Sequence, residues 1–156
     1  GIMMKDDARL RVRQVGNEME ECRSHIEFSY KRRLPSNGNT KEEEEIEVDF
    51  DVELGDFLNI LCKMGYIMTT SYERYRTTYK YKNTKVTLDE FPFGYILEIE
   101  GENENIAKAC RGLNLNMAES TAESCDDVYD RICRDKGIEP KNHILFSDNE
   151  MPAIRI

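Results

Sequence analysis

Arginine stands at every second position in Arg9-Leu10-Arg11-Val12-Arg13. Period-two spacing puts Arg9, Arg11 and Arg13 on one face of a strand and Leu10 and Val12 on the other. A second basic row, Arg74, Arg76, Lys80 and Lys82, is broken only by Thr78. Two acidic rows share the spacing: Glu43, Glu45, Glu47 and Asp49, then Glu98 and Glu100. Like charges two residues apart on a strand sit about 6.5–7 Å from each other. Such rows repel themselves unless opposite charge or a ligand lies across from them. The chemistry available is specific. The planar fork of arginine grips phosphate oxygens in pairs. Carboxylate rows suit Mg²⁺ or Mn²⁺, hard ions that also bridge to phosphates. A ligand with several phosphates plus a divalent metal satisfies both signs at once. The ordinary alternative is a solvated face screened by salt; it weakens when four strands share the habit.

The elements that must position these rows are mostly strands. Alternation predicts strands at Ala8 to Val15, His25 to Arg33 and Glu42 to Phe50, separated by a loop at Leu34 to Asn39. On the second strand Ile26, Phe28 and Tyr30 face one way; Glu27, Ser29 and Lys31 face the other. The period then changes: Phe57, Leu58, Leu61 and Cys62 recur at helical spacing and stop at Gly65, a C′ glycine. Strands return at Tyr72 to Lys82, Thr84 to Asp89 and Gly94 to Gly101, with Asn83 in the tight turn between the first two. Helices are predicted near Asn103 to Gly112 and from Ala122 to Lys136. Pro140 to Ile156 carries no pattern. This order lacks the βαβ alternation of a parallel sheet and is an α+β pattern. Closing the sheet puts the ionic faces inward and the apolar faces outward under helices, giving an antiparallel β-barrel with a polar lumen.

Composition narrows the classes. The 156 residues are 39% hydrophobic and 34% charged, enough for one globular domain. No apolar run approaches the ~20 residues of a membrane span, and no secretory leader pattern is present; the expectation is a cytoplasmic protein. A net charge of −9 argues against broad nucleic-acid binding. The five cysteines are scattered without a C-x-x-C pair, which points to buried or idle thiols.

In motif order the chain resembles the CYTH family, the triphosphate tunnel metalloenzymes. The resemblance rests on Leu10-Arg11-Val12-Arg13, Tyr30-Lys31 and Glu45-Ile46-Glu47-Val48. It continues through Glu73-Arg74-Tyr75-Arg76, Val86-Thr87-Leu88-Asp89-Glu90 and Gly94-Tyr95-Ile96-Leu97-Glu98-Ile99-Glu100. Ser124 with Val128-Tyr129 is similar to the family's late helix, with Cys125 where Tyr is usual. The resemblance implies a triphosphate-tunnel-like antiparallel barrel that hydrolyses or cyclises tripolyphosphate, thiamine triphosphate or ATP with Mg²⁺ or Mn²⁺. It implies that Arg11, Arg13, Lys31, Arg74 and Arg76 bind phosphates. Glu45 and Glu47 take the catalytic role, and Glu98, Glu100 and, more weakly, Asp89 hold metal. The family opens on a Glu-x-Glu-x-Lys strand that this chain lacks. The expectation is therefore a barrel incomplete at its N-terminus, a CYTH-like domain over residues 1–137 and an irregular tail over 138–156. An open edge favours a homodimer, and the missing strand favours a second reading, a non-catalytic polyphosphate- or nucleotide-binding module.

Other candidates take plainer roles. His25 shares the face of Lys31, and His143 is expected at the surface. Tyr75, Tyr79 and Tyr81 fall opposite the arginines, so covered barrel exterior is expected rather than a base-stacking platform. The methionines, Met64 and Met68 included, are expected as core filler.

Overall fold

A computed structural model describes residues 8–16, 25–35 and 42–147. The chain divides into two compact units, Gly1–Ile67 and Met68–Ile156. It is an α+β protein with three small sheets and three α-helices among the described residues.

In the first unit, β1 (Ala8–Val15), β2 (His25–Leu34) and β3 (Glu42–Phe50) form an antiparallel sheet in that order. The register pairs Arg11 with Ser29 and Ser29 with Glu47, so the alternating residues fall on common faces as the sequence predicts. Helix α1 (Leu54–Lys63) follows. Gly65, at φ 91°, ends it in a Schellman turn: Gly65 N–H donates to the Cys62 carbonyl and Tyr66 N–H to that of Leu61. Phe57 of α1 packs edge-on against Phe28, with ring centroids 5.3 Å apart, and lies 5.6 Å from Phe50.

In the second unit, β5 (Tyr75–Tyr81), β6 (Thr84–Phe91) and β7 (Gly94–Glu100) form an antiparallel meander. Lys82 and Asn83 both have positive φ, the signature of a two-residue type I′ hairpin turn. Helix α2 (Asn103–Gly112) packs against β6 and β7. After a short 3₁₀ turn comes α3 (Cys125–Lys136), which opens on a reciprocal capping box between Ser124 and Asp127 and closes at Gly137, φ 66°. The unit's core gathers Phe91, Phe93, Tyr129, Ile132, Cys133 and Ile144, with Tyr72 and Ile96 packed against it.

Several expectations need correction. No closed barrel is formed among the described residues: the strands belong to three separate sheets. The single strand predicted from Tyr72 to Lys82 is two, because its first part changes partners. Ser71–Tyr72 (β4) pairs in parallel with His143–Ile144 (β8), and Glu73 N–H donates to the Ile144 carbonyl before β5 joins β6. The segment without pattern thus supplies a core residue, Ile144. Periodicity cannot register a two-residue strand.

Helical cover also differs. α1 covers the Phe28 and Phe50 end of its sheet, but Ile46 is 60% exposed. α3 packs on the charged side of the second meander, at the Phe91 and Ile96 end of the face that carries Asp89. Met64, Met68, Tyr75 and Tyr79 are exposed rather than buried. Met3, Met4, Cys22, the loop residues Ser36 to Asn39 and the end of the tail lie outside the described residues. The four described cysteines are free thiols, as expected, two of them buried.

Candidate functional site

On the first unit's sheet, β1, β2 and β3 bring Arg9, Arg11, Arg13, His25, Glu27, Ser29, Lys31, Glu43, Glu45, Glu47 and Asp49 to one face. The two signs interdigitate. Lys31 Nζ lies 2.7 Å from Glu45, Arg11 lies 3.5 Å from both Glu45 and Glu47, and Arg9 lies 2.9 Å from Glu43. Arg13 donates to Glu27 Oε2 at 2.5 Å. At the centre, between Arg11 and Glu47 in register, Ser29 is 1% exposed and its Oγ meets no hydrogen-bond partner among the described residues. A buried hydroxyl without an acceptor is costly and calls for an explanation.

Partial burial works to raise the Glu45 carboxyl. The hydrogen bond from Lys31 and the charges of Lys31 and Arg11 outweigh it and hold the group below its ordinary value. A carboxyl depressed in the folded state contributes stability above its unfolded pKa, and that contribution is lost as pH falls through the folded value. Acidification below about pH 5 should therefore lower the urea midpoint of the protein, and less steeply in Glu45→Gln. Equal pH slopes in the two proteins would show that the pair carries no linkage. Since the Glu45 side chain is 40% exposed, the neutral-pH cost of the substitution should stay within about 1 kcal/mol.

The second unit holds a tighter cluster. Asp89 is fully buried and takes three hydrogen bonds: Arg74 Nη1 at 2.7 Å, Arg76 Nε at 2.6 Å and Arg76 Nη2 at 2.5 Å. Arg76 Nη2 also donates to Glu98 at 2.7 Å, and Thr87 Oγ1 to the same carboxylate at 3.4 Å. Burial works against the Arg76 charge, but the Asp89 hydrogen bond and the charges of Asp89 and Glu98 raise its pKa further above an already high value. Glu100 pairs with Lys85 at 3.1 Å. Beside the cluster, burial pushes the Tyr72 hydroxyl up to about 12 and raises the Cys125 thiol, so neither ionises near neutrality.

The residues singled out from sequence therefore fall in two groups. Arg11, Lys31, Glu45 and Glu47 lie together on the first sheet, with Arg13 turned to Glu27. Arg74, Arg76, Asp89 and Glu98 lie together on the second meander, with Glu100 turned to Lys85. The partners Glu27, Lys85 and Thr87 and the orphan Ser29 were not singled out. Hairpin register would have found the partners, since Arg13 stands opposite Glu27 and Lys85 opposite Glu100. Nothing in the sequence marks Ser29. Half-exposed Glu45, Glu47 and Glu98 have the hard oxygen donors that Mg²⁺ or Mn²⁺ prefers. Asp89 has both oxygens committed to arginine, which makes it an anchor for Arg74 and Arg76.

The class so defined is an α+β protein that presents a charge-alternating sheet face in each of two units. Nothing matches the chain among family models, curated proteins or solved structures. No helix among the described residues is long and apolar enough to cross a membrane.

Proposed function

We propose that the chain binds a triphosphate compound together with Mg²⁺ or Mn²⁺ and hydrolyses or cyclises it, within the incomplete triphosphate-tunnel-like architecture to which the sequence motifs point. The observation that carries this reading is Ser29. Its buried hydroxyl, unpartnered among the described residues, stands in register between Arg11 and Glu47, where a phosphoryl oxygen would accept a hydrogen bond from it and from Arg11 as well. Within the first unit Arg11, Arg13 and Lys31 would hold phosphate oxygens by charge and by paired hydrogen bonds, and within the second unit Arg74 and Arg76 have the same capacity. Arg11 and Lys31 now spend their charge on half-exposed carboxylates that a phosphate could displace, whereas Asp89 stays buried as the anchor of Arg74 and Arg76. In the second unit Glu98 and Glu100 would hold a metal, whose chemistry is to polarise a phosphoryl group and lower the pKa of bound water. Glu45 and Glu47 would position the attacking water, Glu45 kept ionised by Lys31 and Arg11.

A second reading has its own support. Asp89 is wholly sequestered by two arginines, which removes one expected metal ligand and favours a polyphosphate- or nucleotide-binding module without turnover. Calorimetric titration with tripolyphosphate, ATP and thiamine triphosphate, run beside phosphate release with and without Mg²⁺ or Mn²⁺, separates the two. The enzyme reading expects metal-dependent release that Glu98→Gln abolishes and binding that Ser29→Ala and Lys31→Ala weaken. Salt-sensitive binding without release leaves the module. A folded chain that neither binds nor releases overturns both.

A further inference from the structure

We infer a second, transition-metal site at the opposite end of the first sheet from the Arg9–Glu43 pair, formed by His25, Glu27 and Asp49. The three belong to adjacent strands and one face. His25 begins β2, Glu27 follows two residues later, and Asp49 stands directly across from Glu27 on β3. One donor atom from each lies within 4.8 Å of the others. A tetrahedral ion with metal–ligand bonds of about 2.0–2.2 Å needs donors about 3.3–3.6 Å apart. Closing that difference asks only for small side-chain rotations.

Arg13 supplies an independent indication. It holds Glu27 by Oε2 at 2.5 Å, which leaves Oε1 turned toward His25 Nε2 at 3.8 Å, beyond hydrogen-bond reach. A carboxylate fixed through one oxygen while the other faces an imidazole is the outer-sphere arrangement that orients metal ligands. Asp49 is exposed, and its carboxylate forms no ion pair among the described residues. The site therefore opens to solvent, with room for water ligands. One nitrogen and two carboxylate oxygens suit Zn²⁺, Co²⁺ or Mn²⁺, whereas Mg²⁺ and Ca²⁺ disfavour imidazole. The ion would clasp β2 to β3 where the sheet has no helix-packed aromatic on this face. His25 and Asp49 take no part in the triphosphate reading; Arg13 serves in both, so the test uses the metal in the absence of phosphate compounds.

The test is titration of the full chain with Zn²⁺ alone, followed by calorimetry, and with Co²⁺ alone, followed by visible absorption. Expected are one Zn²⁺ per chain, a raised thermal midpoint, and Co²⁺ d–d bands without the near-ultraviolet sulfur charge transfer that cysteine ligation would give. His25→Ala and Asp49→Asn should each weaken binding at least about tenfold, the loss that even an outer-sphere partner can cause. Both should keep the wild-type urea midpoint in EDTA, and Glu98→Gln should bind like wild type. Asp49→Asn preserves shape and answers the question if His25→Ala fails to fold. Unchanged Zn²⁺ affinity in the folded variants, sulfur charge-transfer bands, or no binding by wild type would overturn the site.

Discussion

Asp89→Asn is expected to destabilise the protein by about 3–5 kcal/mol, the range for removing one partner of a buried ion pair. Asp89 is fully buried, and the Arg74 and Arg76 side chains are 11% and 23% exposed. Asn is nearly isosteric, so packing changes little and the loss is electrostatic. Its neutral amide leaves two guanidinium groups facing each other without the charge that holds them. Glu98 can still serve Arg76 at 2.7 Å, but nothing comparable in the described cluster serves Arg74. Urea unfolding followed by circular dichroism measures the effect. A double-mutant cycle with Arg74→Ala apportions it, because the second substitution should cost far less once Asp89 is gone. A loss below about 1 kcal/mol would put the trio in the range of exposed surface pairs. It would also remove the objection to Asp89 as a metal ligand.

Phe93→Ala should cost about 3–5 kcal/mol, as large-to-small substitution of a buried aromatic does. Phe93 sits in the two-residue connection between β6 and β7, a place where side chains usually meet water. Here it is 1% exposed, stacks on Phe91 with centroids 4.9 Å apart, and meets Tyr129 of α3 at 5.2 Å. It therefore links the meander to α3, and its loss opens a cavity at the join of three aromatics. Thermal unfolding read by circular dichroism should show the drop. Ile67→Ala, at 84% exposure, should shift stability by no more than about 0.5 kcal/mol. Equal, small effects at the two positions would mean that the aromatic cluster contributes little to the fold.

Both predictions concern features that differ in how far the sequence reveals them. Strand positions were legible because period two is a local property. The bounds of β1 and β3, the turn at Asn83 and the stop at Gly65 follow from residues near in sequence. The charged rows were legible for the same reason: Arg9, Arg11 and Arg13 share a face whatever the strand pairs with. Partners were not legible, because they depend on register between segments. Arg13 meets Glu27 only because Val15 pairs with His25 across the hairpin, and Asp89 meets two arginines only because Arg76 stands opposite it on β5.

Three things were decided by the tertiary structure alone. The acidic and basic rows neutralise one another within each sheet, since the strands of opposite sign came to flank one central strand, β2 or β6, and their long side chains reach ion-pair distance across it. The segment at His143–Ile144 joined the core because two backbone pairings with Ser71–Tyr72 carried Ile144 inward, a contact too short to leave a period. Ser29 became buried, with no hydrogen-bond partner among the described residues, where pairing on both sides of β2 set it between Arg11 and Glu47. By itself the sequence determined which residues carry the charge and which face they share; the burial of Ser29 and Asp89 depends on neighbours that only the folded chain brings beside them.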